Sequence, residues 1–238
     1  MVLITSFFRY ASIMIVLIIF SPMFAQKTVV LEMFTSQGCS SCPPADKVIE
    51  EVEEKYPELN IIPISYHVDY WNRLGWKDPF SQAKFSTYQR QYASQWRERS
   101  VYTPQLVLNG EKHIVGSNTD ALSSYLHLSE TEVAQDIQLK AQAVPGKINV
   151  DYTFEGQGEN ITLVVIAKEK TTEILRGENR GRKLNNSHIA AVKQTFTQKT
   201  QTVTLYLPKW VESDDTLEIV AYTQDEDLKI LSAVRQGI

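Results

Sequence analysis

The chain has 238 residues, 43% of them hydrophobic and 22% charged, and a formal net charge of −4. That length allows one large or two small domains, and the composition is that of a globular protein rather than a disordered or fibrous one. No basic run is long enough to suggest a nucleic-acid partner.

The first 25 residues differ in kind from the rest. Arg9 precedes an apolar run from Ala11 to Phe20, and Ser21-Pro-Met-Phe-Ala25 follows. A charged start, an apolar centre and a small residue at the end form the pattern of a secretory signal peptide, with cleavage expected after Ala25. The apolar run is short for a membrane span, so no stable span is expected once it is removed. Counted from Ile4 to Phe24, an uncleaved anchor is the alternative. Residues 26–238 are therefore expected in a periplasm or outside the cell.

Next comes Val29-Val-Leu-Glu-Met-Phe34, an apolar strand by its β-branched content and length. Glu32 interrupts it. An acid there either faces solvent or is buried with a raised pKa and can carry protons. A polar turn then leads to Cys39-Ser-Ser-Cys42, which holds the only two cysteines of the chain. Secreted proteins usually spend cysteine on structural disulfides, but a pair two residues apart closes a loop too small to restrain the unfolded chain. Structural zinc needs four ligands, usually two such pairs. A redox pair fits better: a Cys-x-x-Cys between a strand and a helix, in a chain of strand–helix units, reads as a thiol–disulfide motif.

From Ala45 the apolar positions Ala45, Val48, Ile49, Val52 and Tyr56 follow the spacing of a one-sided helix, which Pro57 ends. If the helix begins near Pro43, both Pro43 and Pro44 fall in its first turn, where no donor is lost. Its positive end then lies near the cysteines and favours thiolate. Ile61 to Val68 is a second strand. His67 and Asp69 alternate beyond its middle, so both can face one way. They form either an acid–base or metal pair near the cysteines, or a structural histidine and a turn cap.

Asn72 to Arg99 reads as helical and aromatic. Phe85, Tyr88, Tyr92 and Trp96 keep helical spacing and suit a core, whereas Trp71 and Trp76, among loop residues, suit a substrate-facing surface. Thr103-Pro104 then opens a strand, and Asn109-Gly110 turns it into a hairpin. A helix over 119–132 follows. Beyond it the regime changes to eight short segments with strand patterning: 136–144, 148–154, 161–168, 172–176, 189–197, 202–207, 217–223 and 228–234. Turn signals separate them, as in a small sandwich. The expected boundary gives a domain at 27–134 and another at 135–238. Between 176 and 183 lies a charged, glycine-bearing connection, Arg176-Gly-Glu-Asn-Arg-Gly-Arg-Lys183, which is either a solvated loop or an anion or docking contact.

The order strand, Cys-x-x-Cys, helix, strand, helix, Thr-Pro strand, hairpin strand, helix resembles the thioredoxin fold. Four segments, LEMFTSQGCSSCPPAD, YHVDYWNRLGWKDPF, YTPQLVLNG and GENRGRKL, resemble an exported bacterial thioredoxin-like family catalogued as a domain of unknown function, of the DUF1223 type. The expected fold is thus an α/β thioredoxin-like domain followed by a small all-β sandwich-like domain. The resemblance implies that Cys39 is the attacking thiol, Cys42 the resolving thiol, Thr103-Pro104 a cis-proline loop beside them, and Glu32 an acid beneath the disulfide. The intervening Ser40-Ser41, and the lack of a tryptophan before Cys39, depart from thioredoxin and leave the direction of electron flow open.

These readings converge on an exported thiol–disulfide oxidoreductase. Ser40 and Ser41 would stabilise the Cys39 thiolate, and Thr103, Pro104, Trp71 and Trp76 would hold the substrate. No cofactor is required, since a redox partner protein or thiol substrate supplies or takes the electrons. Two alternatives stand beside it. One is a soft-metal carrier binding Cu(I) through Cys39 and Cys42, with His67 as third ligand. The other is a non-catalytic interaction protein with a permanent disulfide.

Overall fold

The computed structural model describes residues 26–156 and 158–238. The expected signal segment, 1–25, lies outside them. Strand accounts for 43% of the described residues and helix for 18%, so the fold is mostly β.

In chain order the elements begin with β1 (Thr28–Thr35), α1 (Pro43–Lys55) and β2 (Asn60–His67). One turn of 3-10 helix (Asn72–Leu74) precedes α2 (Ala83–Gln95). The hairpin β3 (Gln105–Leu108) and β4 (Lys112–Val115) leads to α3 (Thr119–Leu128). Seven strands complete the chain: β5 (Ile137–Val144), β6 (Lys147–Phe154), β7 (Asn160–Glu173), β8 (Lys183–Phe196), β9 (Thr200–Tyr206), β10 (Leu217–Gln224) and β11 (Ile230–Gly237). Among the described residues no helix is long and apolar enough to cross a membrane.

The expected fold class, an α/β thioredoxin-like domain followed by a small all-β sandwich-like domain, is overturned by the sheet. Eight strands form one mixed sheet in the order β11-β10-β7-β8-β2-β1-β3-β4. β1 and β2 run parallel, β3 antiparallel to β1, and β8 lies parallel against β2 where Ser65 meets Ile189. Four C-terminal strands therefore extend the sheet begun by the N-terminal half. Only β5, β6 and β9 form a second sheet.

The misreading has a physical cause. Residues 169–171 separate two expected strands, and residues 184–188 precede the expected start of another at 189, yet both stretches lie inside 14-residue strands. Their polar side chains have partners: Asn185 Nδ2 donates to Glu50 of α1 at 2.9 Å, and Lys170 pairs with Asp215 at 2.7 Å. A paired polar residue does not break a ladder, but one sequence window cannot show the pairing. The helix expected over 72–99 also contracts, to α2 and the 3-10 turn.

Alternation along β1 divides the core. Val29, Leu31 and Met33 face α1 and α3, packing with Ile49, Val52, Leu122 and Leu126. Val30 and Phe34 face the other way, towards Tyr88 and Tyr92 of α2 and the C-terminal Val220, Tyr222 and Ile230. A third core lies between the two sheets, where Ile148, Val150 and Phe154 pack on Leu163, Val165 and Ile219. With both faces covered, β1 has no exposed residue, which accounts for its nearly continuous apolar sequence.

Candidate functional site

The site forms where β1 ends. Ser36 begins a tight turn: its hydroxyl accepts from the Gly38 amide at 3.1 Å, and its carbonyl accepts from the Cys39 amide at 3.1 Å. Gly38 suits a close approach, since a Cβ there would stand 3.1 Å from Cβ of Trp71, tighter than most real contacts. Cys42 caps α1, its carbonyl accepting from Ala45 at 2.8 Å and Asp46 at 3.0 Å. Pro43 and Pro44 occupy the first helical positions, so no helical donor is lost to them.

Cys39 and Cys42 are joined in a disulfide, and neither residue has exposed surface. Around Cys39 stand several side chains singled out from sequence. The Ser41 hydroxyl lies 3.3 Å from the Cys39 sulfur. Thr103 places its carbonyl oxygen 3.9 Å from the same sulfur, and its peptide to Pro104 is cis. Trp71 donates its indole N–H to Thr103 Oγ1 at 2.8 Å, and Trp76 donates to Gln37 Oε1 at 3.1 Å. The two indoles are thus tied to the residues flanking the disulfide. Ser40 has a different role from Ser41: its backbone amide donates to Glu178 at 3.1 Å.

Behind the disulfide lies a buried polar cluster. Thr35 and His67 are register partners across β1 and β2. Thr35 donates to Asp46 at 2.7 Å, and Asn186 of β8 donates to the other Asp46 oxygen at 3.3 Å. His67 bonds Asp78 at 2.7 Å through Nδ1, while its Nε2 has no partner. Asp78 also accepts from the Gln37 amide at 2.8 Å, and Gln37 donates to Asn186 at 2.9 Å. Burial pushes the Asp46 carboxyl up to about 6, against the opposing pull of His67 and the Thr35 hydrogen bond. Burial alone would lower His67, but the charge and hydrogen bond of Asp78, with the charge of Asp46, hold it above the usual histidine range.

His67 and Asp69 do not form a pair. β2 ends at His67, so alternation does not carry Asp69 to the same side. Asp69 instead meets Ser86 of α2, which accepts from its amide at 3.0 Å. Nor is Glu32 beneath the disulfide. It points from β1 to the α2 face, where the hydroxyls of Tyr88, Tyr92 and Tyr222 donate to it at 3.0, 2.5 and 3.3 Å. Burial raises its pKa. On the disulfide's side of the sheet the acid is Asp46, one helical turn beyond Cys42. As for metal ligands, Cys39 and Cys42 are bonded to each other and His67 to Asp78. The acidic trio Glu212, Asp214 and Asp215 is exposed or half-buried, and Lys170 pairs with two of its members.

A family model described as "Protein of unknown function (DUF1223)" matches residues 30–224, from within β1 to the end of β10. The chain belongs to the DUF1223 family. Among solved structures, this DUF1223 chain resembles the crystal structure of a protein from Agrobacterium tumefaciens at 26% identity and a TM-score of 0.62. That likeness covers 89% of this chain and 95% of the other. A β-glucuronidase from Ruminococcus gnavus aligns over 43% of this chain and 15% of its own at 12% identity; its TM-score of 0.25 carries no argument. No curated protein matches.

Four site residues of this DUF1223 protein escape sequence reasoning because long-range pairing defines them: Asp46, Asp78, Asn179 and Asn186. Asn179 is fully buried and donates its one amide to Gln37 O and Cys39 O, each at 2.9 Å. It lies in the β7–β8 connection read from sequence as solvated or docked, and the connection docks. A local signal existed only for Asp46, an acid four residues after a helix-capping cysteine.

Proposed function

We infer that this protein is a thiol–disulfide oxidoreductase acting through Cys39 and Cys42. One observation carries the reading: the disulfide sits at the head of α1 with the buried pair Asp46 and His67 directly behind it. A disulfide that only stapled the chain would have no use for buried ionisable groups, which are costly to keep. The reaction needs only these parts. In the reduced protein the Cys39 thiolate attacks a substrate disulfide; a mixed disulfide forms and one substrate thiolate leaves. Asp46 takes the Cys42 proton, and Cys42 attacks the Cys39 sulfur. The Cys39–Cys42 bond forms, the second substrate thiolate leaves, and it collects a proton. Two electrons have passed to the substrate, and the reverse sequence oxidises a dithiol. Ser41 and the start of α1 favour the Cys39 thiolate. We place the reaction outside the cytoplasm, on the pattern of the first 25 residues.

A second reading, a non-catalytic interaction protein with a permanent disulfide, draws on the burial of both cysteines. Equilibration of the protein with glutathione, read by thiol trapping, separates the two. A potential between about −120 and −270 mV supports the oxidoreductase, whereas a pair still oxidised below about −300 mV is structural.

A further inference from the structure

The β7–β8 connection does more than cover the disulfide. Its tip is clamped to the site by Asn179 on the Cys39 and Gln37 carbonyls, and by Glu178 on the Ser40 amide. Gly177, at φ +75°, lies against the next loop, where a Cβ would come 3.1 Å from Cβ of Trp76. The connection is also held from within: Gly181 donates to Ile174 O at 2.7 Å and Arg182 to Asn179 O at 3.1 Å. It is a fixed rim rather than a loose loop.

Two facing loops meet at this rim, and both are cationic. Arg176, Arg180 and Arg182 are exposed on one, Arg73 and Lys77 on the other. Among the described residues no carboxylate lies within ion-pair distance of any of these five. On other faces Lys168, Lys170, Lys229 and Arg235 each hold an acid. The acids of the two loops are already engaged, Asp78 with His67 and Glu178 with Ser40 N. The Glu178 contact shows that a carboxylate fits on the amide next to Cys39. In a chain of net charge −4, five exposed cations gathered on two adjoining loops beside the disulfide make a local excess of positive charge.

We propose that this rim selects a polypeptide substrate whose cysteine is flanked by aspartate or glutamate. The proposal rests on the oxidoreductase reading and names its substrate class. An acidic flank is drawn to the rim before sulfur chemistry begins, and one of its carboxylates can replace Glu178 on the Ser40 amide. Focused charge of this kind raises association rates by about 10- to 1,000-fold at low salt.

The test uses the purified, pre-reduced protein and three peptide disulfides of equal length, with Glu, Ser or Lys on both sides of the cysteine. At about 10 mM salt the Glu peptide should react about tenfold faster than the Lys peptide, and at about 1 M salt the ratio should fall towards one. The variant R176E/R180E/R182E should invert the Glu-to-Lys ratio, each rate being normalised to that variant's own Ser peptide. A matched reversal at exposed lysines away from the rim, K55E/K140E/K199E, with Lys55 at the far end of α1, should leave the ratio in place. Equal rates for the three peptides, or a ratio that follows net charge in both variants alike, overturn the proposal while leaving the oxidoreductase reading intact. No reaction with any peptide overturns that reading, and the proposal with it.

Discussion

Two buried acids of this protein are opposites in use. Asp46 has a folded-state pKa near 6 against an ordinary 3.8. A raised acid holds its proton more tightly when folded, so its penalty is absent below about pH 3.8, grows as pH rises and is complete above about pH 6. Roughly two units correspond to a cost on the order of 3 kcal/mol at neutral pH. Asp46→Asn should therefore raise the melting temperature at pH 8 and barely change it at pH 4. If Asp46 is the proton acceptor for Cys42, the same variant should slow exchange by about tenfold or more and erase a pH inflection near 6; a variant that is stabilised but exchanges normally removes Asp46 from the reaction. Glu32 should behave differently. Glu32→Gln keeps an acceptor for Tyr88, Tyr92 and Tyr222, so its stability should stay within about 1 kcal/mol of the parent. Glu32→Ala leaves buried hydroxyls short of a partner and should cost about 3 kcal/mol or more. Because Glu32 lies across the sheet from the disulfide, Glu32→Gln should leave the Cys39–Cys42 potential unchanged, and a shifted potential would return Glu32 to the site.

Elements whose signals are local were legible in the sequence. The apolar run of β1, the one-sided face of α1, the Asn109-Gly110 turn between β3 and β4, and the alternation of β5 and β6 each declare themselves within a few residues. The cysteines, Thr103, Trp71 and Trp76 were legible for the same reason, because they belong to short segments. The polar portions of β7 and β8 were not, and Asn179 was hidden with them. Its amide satisfies carbonyls some 140 positions earlier in the chain, a pairing that no local pattern encodes. Asn179→Ala tests what that element does. Leaving the buried Gln37 carbonyl without its donor, and the Cys39 carbonyl with only the Cys42 amide at 3.2 Å, should cost about 1–3 kcal/mol. The rim should also lift more readily, so the reduced Cys39 thiol should be alkylated faster than in the parent under native conditions. A lowered melting temperature with unchanged alkylation would mean that the connection braces the turn without gating it.

At the scale of the whole molecule the boundary expected at residue 135 has a strong physical opponent. Val30, Phe34, Ile62 and Tyr66 from the first half share a core with Val164, Ile166, Val220, Tyr222 and Ile230 from the second. Phe80 packs against Trp210 with ring centroids 4.8 Å apart. Gly110 lies so close to the β10–β11 turn that a Cβ would sit 2.0 Å from Leu228 O. Polar contacts cross as well: Glu53 of α1 pairs with Arg235 of β11 at 2.7 Å and with Lys168 of β7 at 3.6 Å. Each large apolar side chain stripped of its cover costs about 1.5–3 kcal/mol, so uncovering the four from the first half alone takes away an amount comparable to the whole net stability of a typical domain, about 5–15 kcal/mol. Calorimetry of the full chain should show a single transition with matching calorimetric and van't Hoff enthalpies. A chain ending at residue 134 should melt without a cooperative transition and bind a hydrophobic dye. Two separate transitions, the lower or upper of them reproduced by the shortened chain, would establish the halves as independent folding units joined only at β2 and β8.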